Sequence, residues 1–469
     1  MTGGLTGMRE VNRRKFLHMS TLAGLGVGIG TSCASTPGDR ATDMPFQVAQ
    51  ADIPAVQAKV APGRVTANDK ISLGFIGVAG RGMYLLDRFL SHDDVEVVAV
   101  CDTYQKHMDA AVERTGGTAR AYSDFRELLD QPDIDAVVCA TPPHWHPLIS
   151  IMACEAGKDI YCEKPMSFSP IEGLAMIKAA RLNHRVTQIG TQIHATDNYH
   201  HVVDIVRSGV LGKISRVHCV LNMNDAPHGL GNQPNTPPPE GLNWDMWCGP
   251  APMLPFNEAF FVDGRHRYVR ELIGSWIHEM GPHIVDLPVW ALNLGEPKSA
   301  VAMGGKFATD DISTIPDTFE VIWDYGDMLM TWTNQCANSH GLQFQSGRGI
   351  GRRLGISFHG VNGTLTADYT NNEVISEGER IDPSDLPPAP ERTWPEHDRE
   401  FLNSIKTREL TSCDFGYHYN VHAALNLGQL AYDMDRKLRW DSENKAIIGD
   451  PEADAALYPK YRAPWVLPV

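Results

Sequence analysis

The stretch from Asp135 to Pro165 constrains the fold more than any other part of the chain. Ala136-Val137-Val138-Cys139-Ala140 is a short apolar run of the kind that a strand buried on both faces requires. Thr141-Pro142-Pro143 ends it, since proline cannot continue a ladder. His146 to Ala156 carries apolar residues at helical spacing, and Gly157 follows where a helix C-terminus favours a left-handed residue. Asp159-Ile160-Tyr161-Cys162 is a second strand, ending in Glu163-Lys164-Pro165. A charged pair leaving the carboxyl end of a buried strand stands where open parallel sheets bind ligands. Locally, a surface ion pair explains Glu163-Lys164 as well; the rest of the chain decides against it.

Upstream, Ile71 to Ile76 reads as a strand and Gly77-Val78-Ala79-Gly80-Arg81-Gly82 opens a helix through Leu85, Leu86 and Phe89. Val95 to Val100 is the next strand, closed by Cys101-Asp102. A glycine-rich first turn in a βαβ unit, with an acid about 20 residues beyond, is the dinucleotide fingerprint. Gly77 permits the tight turn, a small residue at 79 lets backbone amides approach a pyrophosphate, and Gly82 allows close helix–strand packing. Ala79 stands at the middle glycine position and is small enough to serve. The helix N-terminus adds partial positive charge. Asp102 is expected to accept hydrogen bonds from ribose hydroxyls and to repel a 2′-phosphate, favouring NAD over NADP. The alternation continues through helices at 108–114, 124–129 and 169–180 and a strand at 185–190, with Ser169 as cap and Pro170 in first position. Strands and helices alternating from 70 to 190 predict a doubly wound parallel sheet.

Past Gly190 the pattern changes. Helix 200–206 and an alternating strand 214–221 precede an Asn- and Pro-rich excursion over 222–240, then Trp244, Trp247, Phe260 and Phe261. Those aromatics read as packing or as sugar-stacking platforms, with packing preferred for any single one. Glu279 and His283 lie four apart on a helix that the sequence continues through Trp290, so they share a face. Trp276 is a candidate pocket wall. Stretches 301–308, 318–325, 328–333 and 355–367 read as a mostly antiparallel sheet. A proline-rich connection over 383–395 leads to helices 396–405 and 417–433, the latter with His418 and His422 on one face and a candidate for facing the cleft. The plan is therefore an α/β chain: a signal segment 1–34, a linker 35–69, a Rossmann domain 70–190, an α+β domain 191–440 with a large open sheet, and a polar tail 441–469.

At 469 residues there is room for two or three domains, and the net charge of −16 argues against nucleic acid or an anionic membrane as partner. No repeat or metal-ligand spacing is present, and the nine scattered cysteines are no disulfide framework. Asn12-Arg13-Arg14-Lys15-Phe16-Leu17 before the apolar run His18–Gly30 resembles a twin-arginine export signal, too short and glycine-rich to span a bilayer. Cys33 is an alternative lipid-attachment site, disfavoured by Gly30 where lipoprotein signals carry a branched aliphatic residue.

The glycine loop at 77–82, the turn Thr141-Pro142-Pro143-His144-Trp145-His146, Glu163-Lys164-Pro165 and the later histidine segment together resemble the Gfo/Idh/MocA oxidoreductases, over residues 70 to about 440. The resemblance implies that Lys164 lies beside the nicotinamide and substrate and that His283 acts on a substrate hydroxyl. It implies Asp at position 279, so Glu279 is a departure. It also implies oligomer contacts through the open sheet, giving a homodimer or homotetramer. On that footing His283 is the expected general base and Lys164 stabilises the alkoxide. Glu163 is expected to orient Lys164 or the nicotinamide ribose, and His144 or His146 to contact cofactor or substrate. Twin-arginine export carries folded proteins, so NAD is expected to stay bound and be regenerated in place. The first reading is a sugar or polyol oxidoreductase. The second is an NAD-dependent glycosidase working by oxidation, elimination, hydration and reduction. A binding protein of the same fold is a third, opposed by the presence of both Lys164 and His283.

Overall fold

The computed structural model describes residues 65, 69–340, 344 and 354–468. The arginine pair and Cys33 lie outside the described residues. The first sheet contains β1 (Ile71–Ile76), β2 (Val95–Cys101), β3 (Arg120–Tyr122), β4 (Ala136–Cys139), β5 (Asp159–Glu163) and β6 (Thr187–Gly190). All neighbours are parallel, in the order β3-β2-β1-β4-β5-β6. The chain walks outward from β1 to β3 and returns to β4, so a crevice opens at the carboxyl ends of β1 and β4. Every residue of β4 and β5 is buried, as a sheet covered by helices on both faces requires. Ser169 caps its helix, its hydroxyl accepting from the Ile171 amide at 3.1 Å, with Pro170 in first position.

The second sheet has nine strands: β7 (Ile214–Asn222), β8 (Ser299–Gly305), β9 (Thr318–Asp324), β10 (Leu329–Gln335), β11 (Leu354–Gly360), β12 (Gly363–Ala367), β13 (Asn372–Ser376), β14 (Leu438–Asp441) and β15 (Ala446–Ile447). Only β7 and β10 pair in parallel; the order is β13-β12-β11-β7-β10-β9-β8-β14-β15. Alternation decides its faces. Phe319, Val321 and Trp323 point inward and are fully buried, while Glu320 and Ile322 of the same strand are exposed. The long helix Phe415–Asp433 covers the inner face, where Trp323 Nε1 donates to the Ala424 carbonyl at 2.7 Å.

Two expected elements are divided. The single strand read over 355–367 is a hairpin of β11 and β12, antiparallel to each other. The helix read through Trp290 is two segments, Trp276–Ile284 and Asp286–Leu292, with Pro282 inside the first. Pro282, and Pro288 in the second, have no N–H to donate to the carbonyls of His278 and Ile284, and each ring crowds the preceding turn.

The C-terminal part returns to the first sheet. Helix His397–Thr407 buries Phe401 against Phe89 and Tyr161, with ring centroids 6.4 and 5.9 Å apart. Arg408 pairs with the buried Asp159 at the start of β5. Residues 441–468 are anchored as well: the Tyr461 hydroxyl donates to Glu172 at 2.6 Å, and Trp465 packs edge-on to Trp145 at 4.7 Å. Replacing Phe401 by Ala removes a ring enclosed by both halves of the chain. We expect a loss of about 3–5 kcal/mol, read as a clear fall in melting temperature; an unchanged melt would contradict this docking.

Candidate active site

The glycine loop shows why its residues are small. Gly77 has φ +81°, and its amide donates to the Cys101 carbonyl at 2.8 Å. A Cβ on Gly82 would lie 1.9 Å from the Gly77 carbonyl oxygen, so the first helix turn can sit on β1 only without a side chain there. Gly80, at φ +41°, has nothing within 4 Å of its Cβ direction and leaves the backbone bare to the crevice. Asp102 closes the loop: its carboxylate accepts from the amides of Val78 at 2.9 Å and Tyr104 at 3.0 Å, and from His107 Nδ1 at 3.3 Å.

A cavity of about 740 Å³ runs from this loop. Gly77 to Arg81, Asp102, Thr141 and Pro142 form one wall. Pro237, Trp247, Phe256, Phe261 and His266, all from the excursion after β7, form the other. The two walls are stitched together beside Asp102. Tyr104 and Leu242 form an antiparallel bridge, the Gln105 amide donates to Gly241 at 3.0 Å, and the Asn243 amide donates to Thr103 at 2.8 Å. Phe261 stacks on His107 with centroids 6.3 Å apart. Bare amides at a helix N-terminus, an acid at the end of β2 and an elongated cleft between them fit a dinucleotide.

Lys164, Glu279 and His283 do not line this cavity; they cluster next to its His266 end. The Lys164 ammonium donates to the Glu279 carbonyl at 2.9 Å and pairs with Glu279 Oε1 at 3.0 Å. Arg267 Nη1 lies 3.6 Å from the same oxygen. Burial would raise the Glu279 pKa, but Lys164 and Arg267 hold it down at about 2. His283, one turn on, is pushed down to about 3 by burial and by the Lys164 charge, and its Nδ1 is buried without a partner. Its carbonyl accepts from the Tyr199 hydroxyl at 3.0 Å.

The structure gives several of the expected residues other partners. Glu163 does not orient the Lys164 ammonium. Its carboxylate accepts from Arg81 Nε at 2.8 Å and Gln192 at 3.0 Å, and reaches only the backbone amide of Lys164, at 3.3 Å. His144 and His146 are buried and engaged with backbone. His144 Nε2 donates to the Trp247 carbonyl at 3.0 Å, and the two His146 nitrogens face the carbonyls of Pro165 and Thr141 at 2.7 and 3.0 Å. Donor atoms of Cys139, His146 and Cys162 lie within 4.8 Å of one another, and each His146 nitrogen faces a backbone carbonyl, of which the neutral ring can donate to one. His418 and His422 stand behind the Lys164 segment: His422 Nε2 accepts from the Met166 amide at 2.7 Å. Trp276 is buried against Tyr268 rather than walling the cavity. Sequence reading missed His107, His266 and Arg267. The cluster Arg265-His266-Arg267 after Gly264, cationic in an acidic chain, was the available signal.

Fold and crevice define a NAD-binding oxidoreductase fold, and comparison with known proteins agrees. Residues 71–191 match the model of the oxidoreductase family with NAD-binding Rossmann fold, and 383–467 match that of the oxidoreductase family C-terminal alpha/beta domain. The two matches support the Gfo/Idh/MocA family. A glycosyl hydrolase family 109 protein of Shewanella sp. (strain W3-18-1) is 28% identical over 215 residues, 44% of this chain and 45% of that one. A family 109 protein 1 of Shewanella sp. (strain MR-4) is 31% identical over 152 residues, 31% of this chain and 33% of its own. The matched region is thus less than half the length of these curated relatives. Among solved structures, WlbA dehydrogenase from Bordetella pertussis, in complex with NADH and UDP-GlcNAcA, has a TM-score of 0.60 at 19% identity, covering 79% of this chain and 99% of that one. GenD2 from gentamicin A biosynthesis, in complex with NAD, gives 0.59 at 17%, covering 82% and 100%. At such identity these likenesses establish the fold alone.

The buried imidazoles set a pH limit on stability. Burial holds His144, His278, His397 and His418 at about 4 and His266 and His283 at about 3, against 6.5 when exposed. His194 goes the other way, raised against burial by Cys413 and Asp286. For the six depressed groups the unfolded chain binds protons that the folded one refuses, so their contribution is complete above pH 6.5 and is lost as pH falls toward about 4. The melting temperature should fall between pH 6.5 and 5, before most carboxylates titrate. A flat profile there would contradict the assignment.

Proposed function

We propose that the protein is an exported NAD-dependent oxidoreductase acting on a secondary alcohol of a sugar or polyol and keeping its nicotinamide bound through turnover. The observation carrying this reading is the Lys164–Glu279 pair at the carboxyl edge of the parallel sheet, next to the dinucleotide cleft and one helical turn from His283. Bound NAD supplies hydride acceptance and donation. His283, neutral at working pH, takes the hydroxyl proton. The developing alkoxide raises its proton affinity when substrate binds. Lys164 donates a charge-assisted hydrogen bond to that alkoxide, held in place by Glu279. The wall built from residues 237–266, joined to the 103–105 turn by the Tyr104–Leu242 bridge, supports a cofactor retained through turnover by adding contacts on its second side. Arg13 and Arg14 support export. The outer face of the second sheet, with Met303, Ile322 and Leu329 exposed, supports a homodimer or homotetramer. Among the described residues no helix is long and apolar enough to cross a membrane.

The family 109 relatives favour a second reading on the same residues. Transient oxidation of a glycoside hydroxyl acidifies the neighbouring C–H, the aglycone leaves by elimination, and water addition with return of the hydride completes hydrolysis without net redox change. Protein purified without added nucleotide separates the two. Bound NAD with release of nitrophenol from nitrophenyl glycosides selects the glycosidase; bound NAD without release selects sugar redox. Lys164→Met is expected to retain NAD and lose turnover by at least about 10²-fold; unchanged turnover would overturn both.

A further inference from the structure

Position 279 carries glutamate where the resembled family carries aspartate, and the geometry gives the extra methylene a task. Lys164 Nζ is fixed twice by the same residue, through the Glu279 carbonyl at 2.9 Å and through Oε1 at 3.0 Å. The same Oε1 lies 3.6 Å from Arg267 Nη1. Arg267 is carried by the turn Val262–Tyr268, where its Nε donates to the Gly264 carbonyl at 2.9 Å, so the guanidinium is aimed from a fixed backbone. An aspartate would keep the carbonyl contact, but its carboxylate would withdraw by about 1.5 Å, leaving Lys164 roughly 4.5 Å and Arg267 roughly 5 Å away.

We infer that Arg267 is a positioning residue of the reacting centre: it shares the Glu279 carboxylate with Lys164, and glutamate stands at 279 because one carboxylate has to reach two cations. The inference rests on reading Lys164 and Glu279 as that centre. Sharing has a chemical consequence. A carboxylate divided between two cations stabilises each ammonium proton less than one held by Lys164 alone, and the guanidinium also repels the ammonium directly. Both effects act on the ammonium that the functional reading turns toward an alkoxide. The charged and titratable groups around Lys164 are Glu279 and His283 from the helix, His266 and Arg267 from the 262–268 turn, Glu163 from β5 and His146 from the helix after β4. His266 and Arg267 both come from the turn walling the dinucleotide cleft, and Arg267 is the one that approaches the Glu279 carboxylate as an ion pair.

The test measures Lys164 itself and needs no substrate. The full chain, with NAD present, is pulsed with trace acetic anhydride across a pH series, and acetylation of Lys164 is followed by peptide mass spectrometry. Arg267→Met should raise the midpoint of Lys164 reactivity by on the order of one pH unit, and Arg267→Lys, which keeps the charge, should move it less. Glu279→Asp, which withdraws the carboxylate from both cations, should lower the midpoint, and adding Arg267→Met to Glu279→Asp should raise it by less than Arg267→Met does alone, because the shared contact is already gone. Arg267→Gln serves if the methionine variant does not fold. A midpoint unmoved by Arg267→Met, an equal shift in Arg267→Lys, or full additivity with Glu279→Asp would overturn the inference. Failure of the functional reading shows separately, as turnover retained by Lys164→Met.

Discussion

The structure depends on a charge pair that crosses between its two halves. Lys164 leaves the last strand-end of the parallel sheet before its outermost neighbour, and Glu279 stands on a helix that belongs to the second half. Their side chains are only 14% and 12% exposed. Charges so nearly enclosed require matched partners, and removing one partner costs far more than the pair contributes. The relative placement of the two halves is therefore set at the Lys164–Glu279 pair by electrostatics as well as by apolar packing. Behind it, His422 uses Nε2 to accept the Met166 amide, which leaves Nδ1 to donate to the His418 carbonyl at 3.1 Å. That neutral tautomer ties the backbone following Lys164 to the long helix under the second sheet.

The dinucleotide cleft shows a second kind of sharing. Its floor is made by residues whose merit is the absence of a side chain, and its roof by aromatic and proline residues distant in sequence. Trp244 and Trp247 stack at 4.4 Å beneath that roof, and the ring of Trp145 donates to the Met246 and Trp247 carbonyls. The logic of the nucleotide turn is local; the enclosure is tertiary.

That distinction explains what was legible beforehand. Gly77, Gly82 and Asp102 announce themselves because their chemistry is dictated by neighbours one turn away, and Ser169 and Pro170 likewise mark a helix start. The parallel order followed from the alternation of short apolar runs with helical ones. His266 and Arg267 were invisible because nothing local assigns them: they sit in a 3₁₀ turn, and their importance comes from Glu279 and Lys164 reaching them from other elements. Glu163 misled for the same reason. Adjacent to Lys164 in sequence, it turns its carboxylate toward Arg81 and Gln192 instead. The prolines at 282 and 288 gave warning of the divided helix, but the reading of one helix from Glu279 through Trp290 passed over them.

The return of the C-terminal chain to the first sheet bears on the order in which the molecule comes into being. Phe401 completes the apolar cluster of Phe89 and Tyr161, Arg408 neutralises Asp159, Asp414 neutralises Arg181, and Trp465 covers Trp145. A nascent chain stalled after β6 would hold a nucleotide-binding sheet with an open apolar flank and two unmatched buried charges. Synthesis from the N-terminus therefore makes the nucleotide half first and finishes it last. The dinucleotide cleft, walled by residues no later than His266, is laid down before the segment that closes the flank of its sheet.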